Sequence, residues 1–307
     1  MKIVVTHNSP DWDAITSVWL IKRLLAGWEE AAVQFVPAGE RIKNSEFRIH
    51  NSELEDQIEK IGQNEVIHVD TGLGPLDHHQ TDDKNTSAAS LTWEYVKSFI
   101  TGGTKWEEKS DAIGRIVKIV VDVDHFKEVF WENPMADYHE FSLLSLLDGL
   151  KLQKPDEDLY YVDFGMSCLD AIMHAFENRI WAEKEIAEKG KKFKTKWGKG
   201  IGFETINDAV IKLAQKMGYV VVIRKDPRKG YVRVKARPSS IQNSESRIKN
   251  QDINLTLVYE KLRKMDPEAT WFLHVSKKML LNGTVKNPKM KPTSLSLEQI
   301  IKVLEKV

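Results

Sequence analysis

The chain opens on a β-branched run, Ile3-Val4-Val5, that Pro10 and Asp11 cut short. Such a run predicts a buried strand over residues 2–6. Over residues 13–27 the apolar positions change period: Ile15, Val18, Trp19, Ile21, Leu24 and Leu25 fall at helical spacing. Residues 33–36 and 66–69 predict two more strands. Residues 54–61 read as a helix that Gly62 stops. The chain therefore begins β, α, β, α, β, which predicts a parallel sheet with helices on both faces. In open sheets of this kind, ligands sit beyond the carboxyl ends of the strands.

Helices are predicted over residues 90–99, 107–119, 138–147 and 164–189. The last is apolar-periodic at its start (Leu169, Ile172, Met173, Phe176, Ile180) and charged at its end, as expected of a helix linking two domains. The basic tail from Lys189 to Gly200 is the expected boundary. The expected domains are residues 1–190, linker helix included, and a smaller mixed α/β domain over residues 198–307. In the latter, strands at 219–224 and 231–236 flank the turn Asp226-Pro227-Arg228-Lys229-Gly230, a hairpin signal. A helix at 253–265, a strand at 270–275 and a closing helix at 297–306, begun by Ser296, complete the pattern. Residues 44–49 echo 243–248 with no further repeat around them, which reads as chance.

Composition changes this picture little. A chain of 307 residues accommodates two domains. Hydrophobic residues at 41% and charged residues at 29% are ordinary for a globular protein. No apolar stretch is long enough to span a bilayer, and polar residues come too soon after Val5 for a secretory signal, so a cytoplasmic location and no membrane partner are expected. The single cysteine, Cys168, excludes an intrachain disulfide framework and a cysteine-based zinc site. Charge is more telling. The net charge is zero, yet from Lys189 to Arg237 there are 15 Lys and Arg against 3 acids. An anionic ligand for the second half is one reading; a solvated helix surface is the other.

Candidate chemistry concentrates at two strand ends. Thr6-His7-Asn8-Ser9-Pro10-Asp11-Trp12-Asp13 comes after the first strand. Asp70 ends the third, and Asp77-His78-His79-Gln80 begins seven residues later. Imidazole and carboxylate together suit a pair of divalent ions such as Mn²⁺, with Mg²⁺ or Co²⁺ as substitutes. His7 and Asp11 can meet on one ion, Asp13 can reach a neighbouring one, Asp70 can bridge them and His78 can close the second. Val120-Val121-Asp122-Val123-Asp124-His125-Phe126 offers the remaining carboxylate, Asp122 or Asp124. A water between two such ions is nucleophilic at neutral pH and suited to attack on phosphorus. His79 is then free to face a phosphate as donor or general acid. His68 and His125 read as structural.

These residues resemble the DHH phosphoesterase superfamily, which includes family II inorganic pyrophosphatases, RecJ-type exonucleases, nanoRNases, cyclic-dinucleotide phosphodiesterases and MYG-type exonucleases. Its first motif, Ser/Thr-His-x-x-Pro-Asp-x-Asp-Ala-x-x-Ser, is matched from Thr6 to Ser17. Its fourth, Asp-Thr-Gly-x-Phe, is matched loosely by Asp122 and Phe126. The resemblance implies one ion on His7, Asp11 and Asp70, another on Asp13, Asp70, His78 and Asp122, and His79 on the phosphate. Residues 77–80 with 87–91, and 272–275 with 282–283, resemble the MYG-type branch, whose usual first motif this chain lacks. The Gly-Gly-Gly-His motif common in second domains is absent, so no branch supplies a substrate.

In the second domain Arg224, Lys225, Arg228, Arg233, Lys235 and Arg237 gather on one hairpin, and His274 ends a predicted strand. Arg224, Arg228, Arg233, Arg237 and His274 are expected to hold an anion; the alternative is an edge strand using charge against aggregation. The expected activity is metal-dependent hydrolysis of a phosphodiester in a short single-stranded oligonucleotide or phosphorylated small molecule. The alternatives are a phosphoanhydride hydrolase and a non-catalytic nucleotide-binding protein. The sequence leaves an oligomer open.

Overall fold

The computed structural model describes residues 1–43, 57–100, 103, 105–238, 252–284 and 287–307. The chain divides into two compact units, Met1–Glu177 and Asn178–Val307. Among the described residues no helix is long and apolar enough to cross a membrane.

In the first unit, strand β1 (Lys2–His7) leads through helix α1 (Trp12–Leu24) to β2 (Ala32–Val36). A hairpin of β3 (Glu59–Ile61) and β4 (Asn64–His68) comes next. The sheet order is β2-β1-β4-β3. β1 runs parallel to both neighbours, with Val4 opposite Val33 and Ile67, and β3 is antiparallel to β4. The alternation of β1 sends Ile3 and Val5 to one face, where they pack with Val36 and Val66. α1 packs against β1 and against helices α2 (Ala88–Lys97) and α3 (Lys105–Asp124). α4 (Leu143–Gln153) and α5 (Asp158–Glu188) are the remaining long helices. Trp19 Nε1 donates to Asp170 Oδ1 at 2.8 Å, and Arg23 pairs with the same carboxylate at 3.1 Å, which ties α1 to α5.

Three expectations change here. Residues 59–61 are strand, not the end of a helix: Gly62, at φ +61°, turns the chain so that Ile61 pairs with Asn64. Residues 54–56 of that expected helix, and both copies of the 44–49 echo, lie outside the described residues. The helix expected at 138–147 starts only at Leu143, because Ser142 caps it by accepting from the Ser145 amide. The unit division falls within α5, earlier than residue 190. Ala182 and Ile186, in the last turns of that helix, pack into the core of the second unit with Ile201, Phe203 and Val222.

The second unit is a six-stranded mixed sheet, β5-β6-β7-β8-β10-β9, on a separate core. The basic stretch expected as a boundary is instead the hairpin of β5 (Lys191–Thr195) and β6 (Gly198–Glu204). Phe193 points inward while its lysine neighbours point to solvent. α6 (Ala209–Lys216) crosses to β7 (Val221–Lys225), which runs parallel to β6. The predicted hairpin from β7 to β8 (Val232–Ala236) is present, its turn held by Asp226 accepting from the amides of Arg228 and Lys229. α7 (Thr256–Met265), β9 (Trp271–Leu273), β10 (Met279–Asn282) and α8 (Leu297–Glu305) complete the unit. Ser296 and Gln299 form a capping box at the start of α8.

The contact between α5 and α1 admits a test. A Cβ on Gly165 would lie 2.6 Å from Ile15 Cγ2 and 3.5 Å from the Trp12 ring. Both neighbours are buried. Gly165→Val is therefore expected to destabilise the first unit by about 2 kcal/mol through overpacking, read as a lower denaturant midpoint. An unchanged midpoint would contradict this packing.

Candidate metal centre

β1 and β4 are adjacent and parallel, so the segments after them leave the sheet at the same end. β1 ends at His7, and after Pro10 the Asp11 side chain caps α1, its Oδ1 accepting from the amides of Asp13 and Ala14 at 2.9 and 3.0 Å. Asp13 then lies in the first turn of α1, buried, with its two oxygens accepting from the amides of Ala88 and Ala89 at 2.7 and 2.8 Å. Those amides open α2, whose N-terminus favours negative charge. Asp70 lies just beyond β4 in a left-handed conformation, φ +53°, that a non-glycine residue adopts at a cost of about 1–3 kcal/mol.

These elements bring two buried carboxylates, Asp13 and Asp70, and the half-buried Asp124 around one imidazole. His78 Nε2 lies 3.6 Å from Asp13, 3.8 Å from Asp70 and 3.5 Å from Asp124. None of those distances is a hydrogen bond. Asp70 Oδ1, His78 Nε2 and Asp124 Oδ2 are all buried without a hydrogen-bond partner. On the other side of Asp70, Oδ2 lies 3.2 Å from His7 Nε2. The opposite ring nitrogen of His7 donates to the Asn8 carbonyl at 2.8 Å, which leaves Nε2 as the nitrogen that would face a cation once its proton has left. His7, Asp11 and Asp70 form one group with the spacing of metal ligands, and His78, Asp124 and His125 another.

Without a cation the charges work against one another. Burial, and secondarily the Asp124 carboxylate, raise Asp13 to about 6. Burial pushes Asp70 well above the usual carboxylate range and also raises Asp124, with the charge of Asp11 adding to it. Burial opposes protonation of His7, but its hydrogen bond to Asp70 and that carboxylate's charge outweigh it and raise His7 to about 9. Burial lowers His78, which favours the neutral imidazole, the form that binds a metal.

The structure separates the residues expected here. His7, Asp11, Asp13, Asp70 and His78 converge. Asp122 does not: it points the other way along α3 and pairs with Lys127 at 3.1 Å. Asp124 takes the place in the cluster. α3 stays helical through both residues, and two positions at about 100° each put their side chains on opposite faces. His79 is 56% exposed on the side chain, and its Nδ1 donates to Asp77 at 2.6 Å. His125 Nε2 donates to the Thr86 carbonyl at 2.9 Å while lying within the His78–Asp124 group, and His68 is buried beside Glu59 and Arg41.

Sequence reasoning missed the part played by Asp77. Its carboxylate accepts from the Leu73 and His79 amides and from the His79 ring, which fixes the loop that carries both histidines. A short Asp-x-His spacing after a strand is the only signal of that turn. It also missed the amides of Ala88 and Ala89; the helix start at Ser87 was the available clue.

The arginines lie in the second unit. Arg224 Nε is 2.7 Å from Asp208, and Arg233, its cross-strand partner, pairs with the same carboxylate. Arg228 is exposed, 4.0 Å from Asp226, and Arg237 is exposed just beyond β8. His274 is engaged with Ser276 at 2.8 Å.

No protein-family model matches the chain, and no curated protein matches it. Among solved structures it is similar to a DHH domain whose protein is described as belonging to a family of ribosomal proteins, at 10% identity and a TM-score of 0.33, covering 99% of this chain and 86% of that one. It is similar to an uncharacterized protein from Helicobacter pylori G27, at 14% identity and a TM-score of 0.24, covering 100% and 98%. A pGpG-specific phosphodiesterase from Vibrio is similar at 15% identity and a TM-score of 0.25, covering 93% of each chain. Likeness at this level assigns this chain neither substrate nor activity.

The titrations give a prediction. In the metal-free protein Asp13 is destabilising as pH rises from its ordinary 3.8 through about 6. His7 stabilises fully below 6.5, and that contribution is lost as pH rises through about 9. Both effects weaken the metal-free fold with rising pH. Cation binding requires those protons to leave, so the gain in Tm on adding Mn²⁺ is expected to be larger at pH 8 than at pH 5.5. Melting with EDTA and with Mn²⁺ at both pH values checks this; an equal gain would contradict it.

Proposed function

We propose that this protein is a metal-dependent phosphoesterase working on a small nucleotide or short single-stranded oligonucleotide. One observation carries the reading: the unpartnered buried atoms of Asp70, His78 and Asp124 aim at a common centre beside Asp13. Each such atom costs about 1–3 kcal/mol if left unsatisfied. A cation relieves all of them together, and the mixed oxygen and nitrogen donors suit Mn²⁺, with Mg²⁺ or Co²⁺ as substitutes. Asp13, Asp70, His78 and Asp124 would hold one ion, and His7, Asp11 and Asp70 a second. Ions held there would supply an activated water and offset charge on the phosphoryl oxygens. Of the motif residues that resemble the DHH superfamily, His7, Asp11, Asp13, Asp70 and His78 are gathered here, and Asp122 is not.

The chain's own groups then have distinct tasks. The α2 amides hold Asp13 in its ionised, ligating orientation. His7 is oriented by the Asn8 carbonyl. His79 donates its Nδ1 proton to Asp77, which leaves Nε2 for the substrate phosphate or the leaving oxygen. Within the second unit Arg228 and Arg237 are exposed and remain candidate anion contacts, whereas Arg224 and Arg233 are already paired with Asp208. His274 belongs with them as a candidate contact.

Hydrolysis of a dinucleotide is expected to require Mn²⁺, to stop in EDTA and to return when Mn²⁺ is restored; full activity after exhaustive chelation would end this reading. Metal counting distinguishes the ligands. Asp124→Asn is expected to lose one ion and at least 100-fold in kcat, while Asp122→Asn keeps both ions and most activity. The reverse pattern would return Asp122 to the centre. His79→Ala is expected to keep its metals and lose activity at least 100-fold, and His78→Ala to lose metal as well. Identical metal content in those two variants would refute their separate roles.

A further inference from the structure

The loop that carries the first ligands is held from outside the sheet. Asn8, Ser9 and Pro10 close the gap between His7, at the end of β1, and Asp11, at the cap of α1. Asn8 is still tied to β2, its amide donating to the Val36 carbonyl at 2.8 Å. Ser9 is not, and its backbone is left-handed, φ +53°. A side chain disfavours that conformation, and a residue before proline ordinarily takes extended backbone. Ser9 is also exposed, so packing of its side chain does not fix it. Two contacts to its backbone do. The Ser9 amide donates to Asp158 Oδ1 at 2.9 Å, and the Ser9 carbonyl accepts from Lys151 Nζ at 3.0 Å. Both are charge-assisted, the stronger kind of hydrogen bond.

These partners belong to the corner between two helices. Lys151 is near the end of α4, and Asp158 is the first residue of α5. Tyr161 orders the chain between them. Its ring is buried, and its hydroxyl donates to the Lys154 carbonyl and accepts from the Glu157 amide at 3.3 Å. The Lys154 ammonium lies 4.1 Å from the centre of the Tyr160 ring. Asn8, Ser9, Lys151, Asp158 and Tyr161 line one cavity of about 300 Å³. Lys151 also lines a larger one of about 880 Å³, which includes Asp11, Asp13, His78 and Asp124 and whose remaining wall comes largely from residues 126–151. The corner therefore stands beside the cluster without supplying a ligand to it.

We infer that Asp158 and Lys151 are positioning residues: by clamping Ser9 in its left-handed conformation they aim His7 and Asp11 at Asp70. The inference rests on the metal reading of that group. Its consequence is selective. Without the clamp Ser9 relaxes toward extended backbone, which spans more length and drives His7 and Asp11 apart. Asp13 is held by the α2 amides, and His78 by the loop that Asp77 fixes, so neither depends on Ser9. The loss falls on the ion expected on His7, Asp11 and Asp70, and the other is spared. Glycine adopts positive φ without the penalty of a side chain, so glycine at position 9 replaces part of what the clamp does.

The test is Mn²⁺ titration of the metal-free full chain by calorimetry, with folding of each variant checked by melting. The wild type is expected to bind two ions. Asp158→Ala and Lys151→Met should each weaken one of them by about 10-fold and leave the other within about twofold. Asp158→Asn keeps an acceptor oxygen and should stay within about threefold of the wild type. Ser9→Gly added to Asp158→Ala should recover about threefold or more of the lost affinity. Unchanged binding of both ions in Asp158→Ala, or a loss that Ser9→Gly does not recover, overturns the clamp and leaves the metal reading standing. A wild type that takes fewer than two ions defeats the two-ion reading, and metal-free crystal structures then decide the clamp. His7 Nε2 and Asp70 Oδ2, 3.2 Å apart, should separate by roughly 1 Å or more in Asp158→Ala once Ser9 extends, and an unchanged separation overturns it.

Discussion

The first unit is organised around a concentration of buried negative charge that it cannot neutralise alone. β1 and β4 are parallel neighbours, so the segments that leave them must meet at one end of the sheet. Those segments carry Asp13 and Asp70, joined by Asp124 from the end of α3. Like charges brought together away from water hold protons that free carboxylates release, and that is the direction in which Asp13, Asp70 and Asp124 move. Hydrogen bonding does not resolve the problem. The Asp13 oxygens have their amides, but one oxygen each of Asp70 and Asp124 has nothing, and His78 Nε2 between them has nothing either. An apolar replacement of the same shape would make a more stable core. The arrangement makes sense as a receptor for positive charge.

Several local features hold these groups in place against their own preferences. Asp70 keeps a left-handed backbone because its amide is tied to the Leu76 carbonyl at 3.0 Å and the next residue, Thr71, donates to the Glu40 carbonyl at 2.9 Å. Asp77 commits its whole carboxylate to the loop, so His78 and His79 leave the backbone in different directions, one into the buried cluster and the other toward solvent. Helix α2 directs two amides at Asp13. A Ser87–Ser90 capping box fixes that helix start, so those amides are ordered before any ion arrives. Preorganisation of this sort keeps the donors from collapsing onto each other.

The legible parts of the sequence were those where chemistry and geometry coincide. His7, Asp11 and Asp13 could be placed together because a β-branched run cut off by proline has one sensible end, and the structure gathers them there. The long helix and the β7–β8 hairpin were visible for similar reasons of period and turn chemistry. The failures have physical causes. The spacing of Ile58 and Ile61 suits a helix, yet Gly62 turns residues 59–61 onto β4, and pairing overrides local preference. The lysines of residues 191–199 hid a strand whose single inward residue, Phe193, is too little pattern to read. Asp122 was favoured over Asp124 by its match to a motif, and only the uninterrupted helix shows that the two face opposite ways.

The wall formed by residues 126–151 was unreadable for a different reason. Phe126, Trp131 and Leu144 look in a sequence like any core residues, since nothing in their identity says that they will face a cavity. Ligands must be histidine or aspartate at fixed places, so their positions are constrained by chemistry. A cavity wall needs only shape, ring faces and a few acceptors, and many sequences provide those. Connecting segments are where such surfaces vary while the scaffold persists. The division of labour has a physical basis. The sheet and its strand ends collect the negative charge that a cation would answer. The α3–α4 connection, which no sheet register constrains, lines the rest of the cavity beside the cluster with acidic and aromatic side chains.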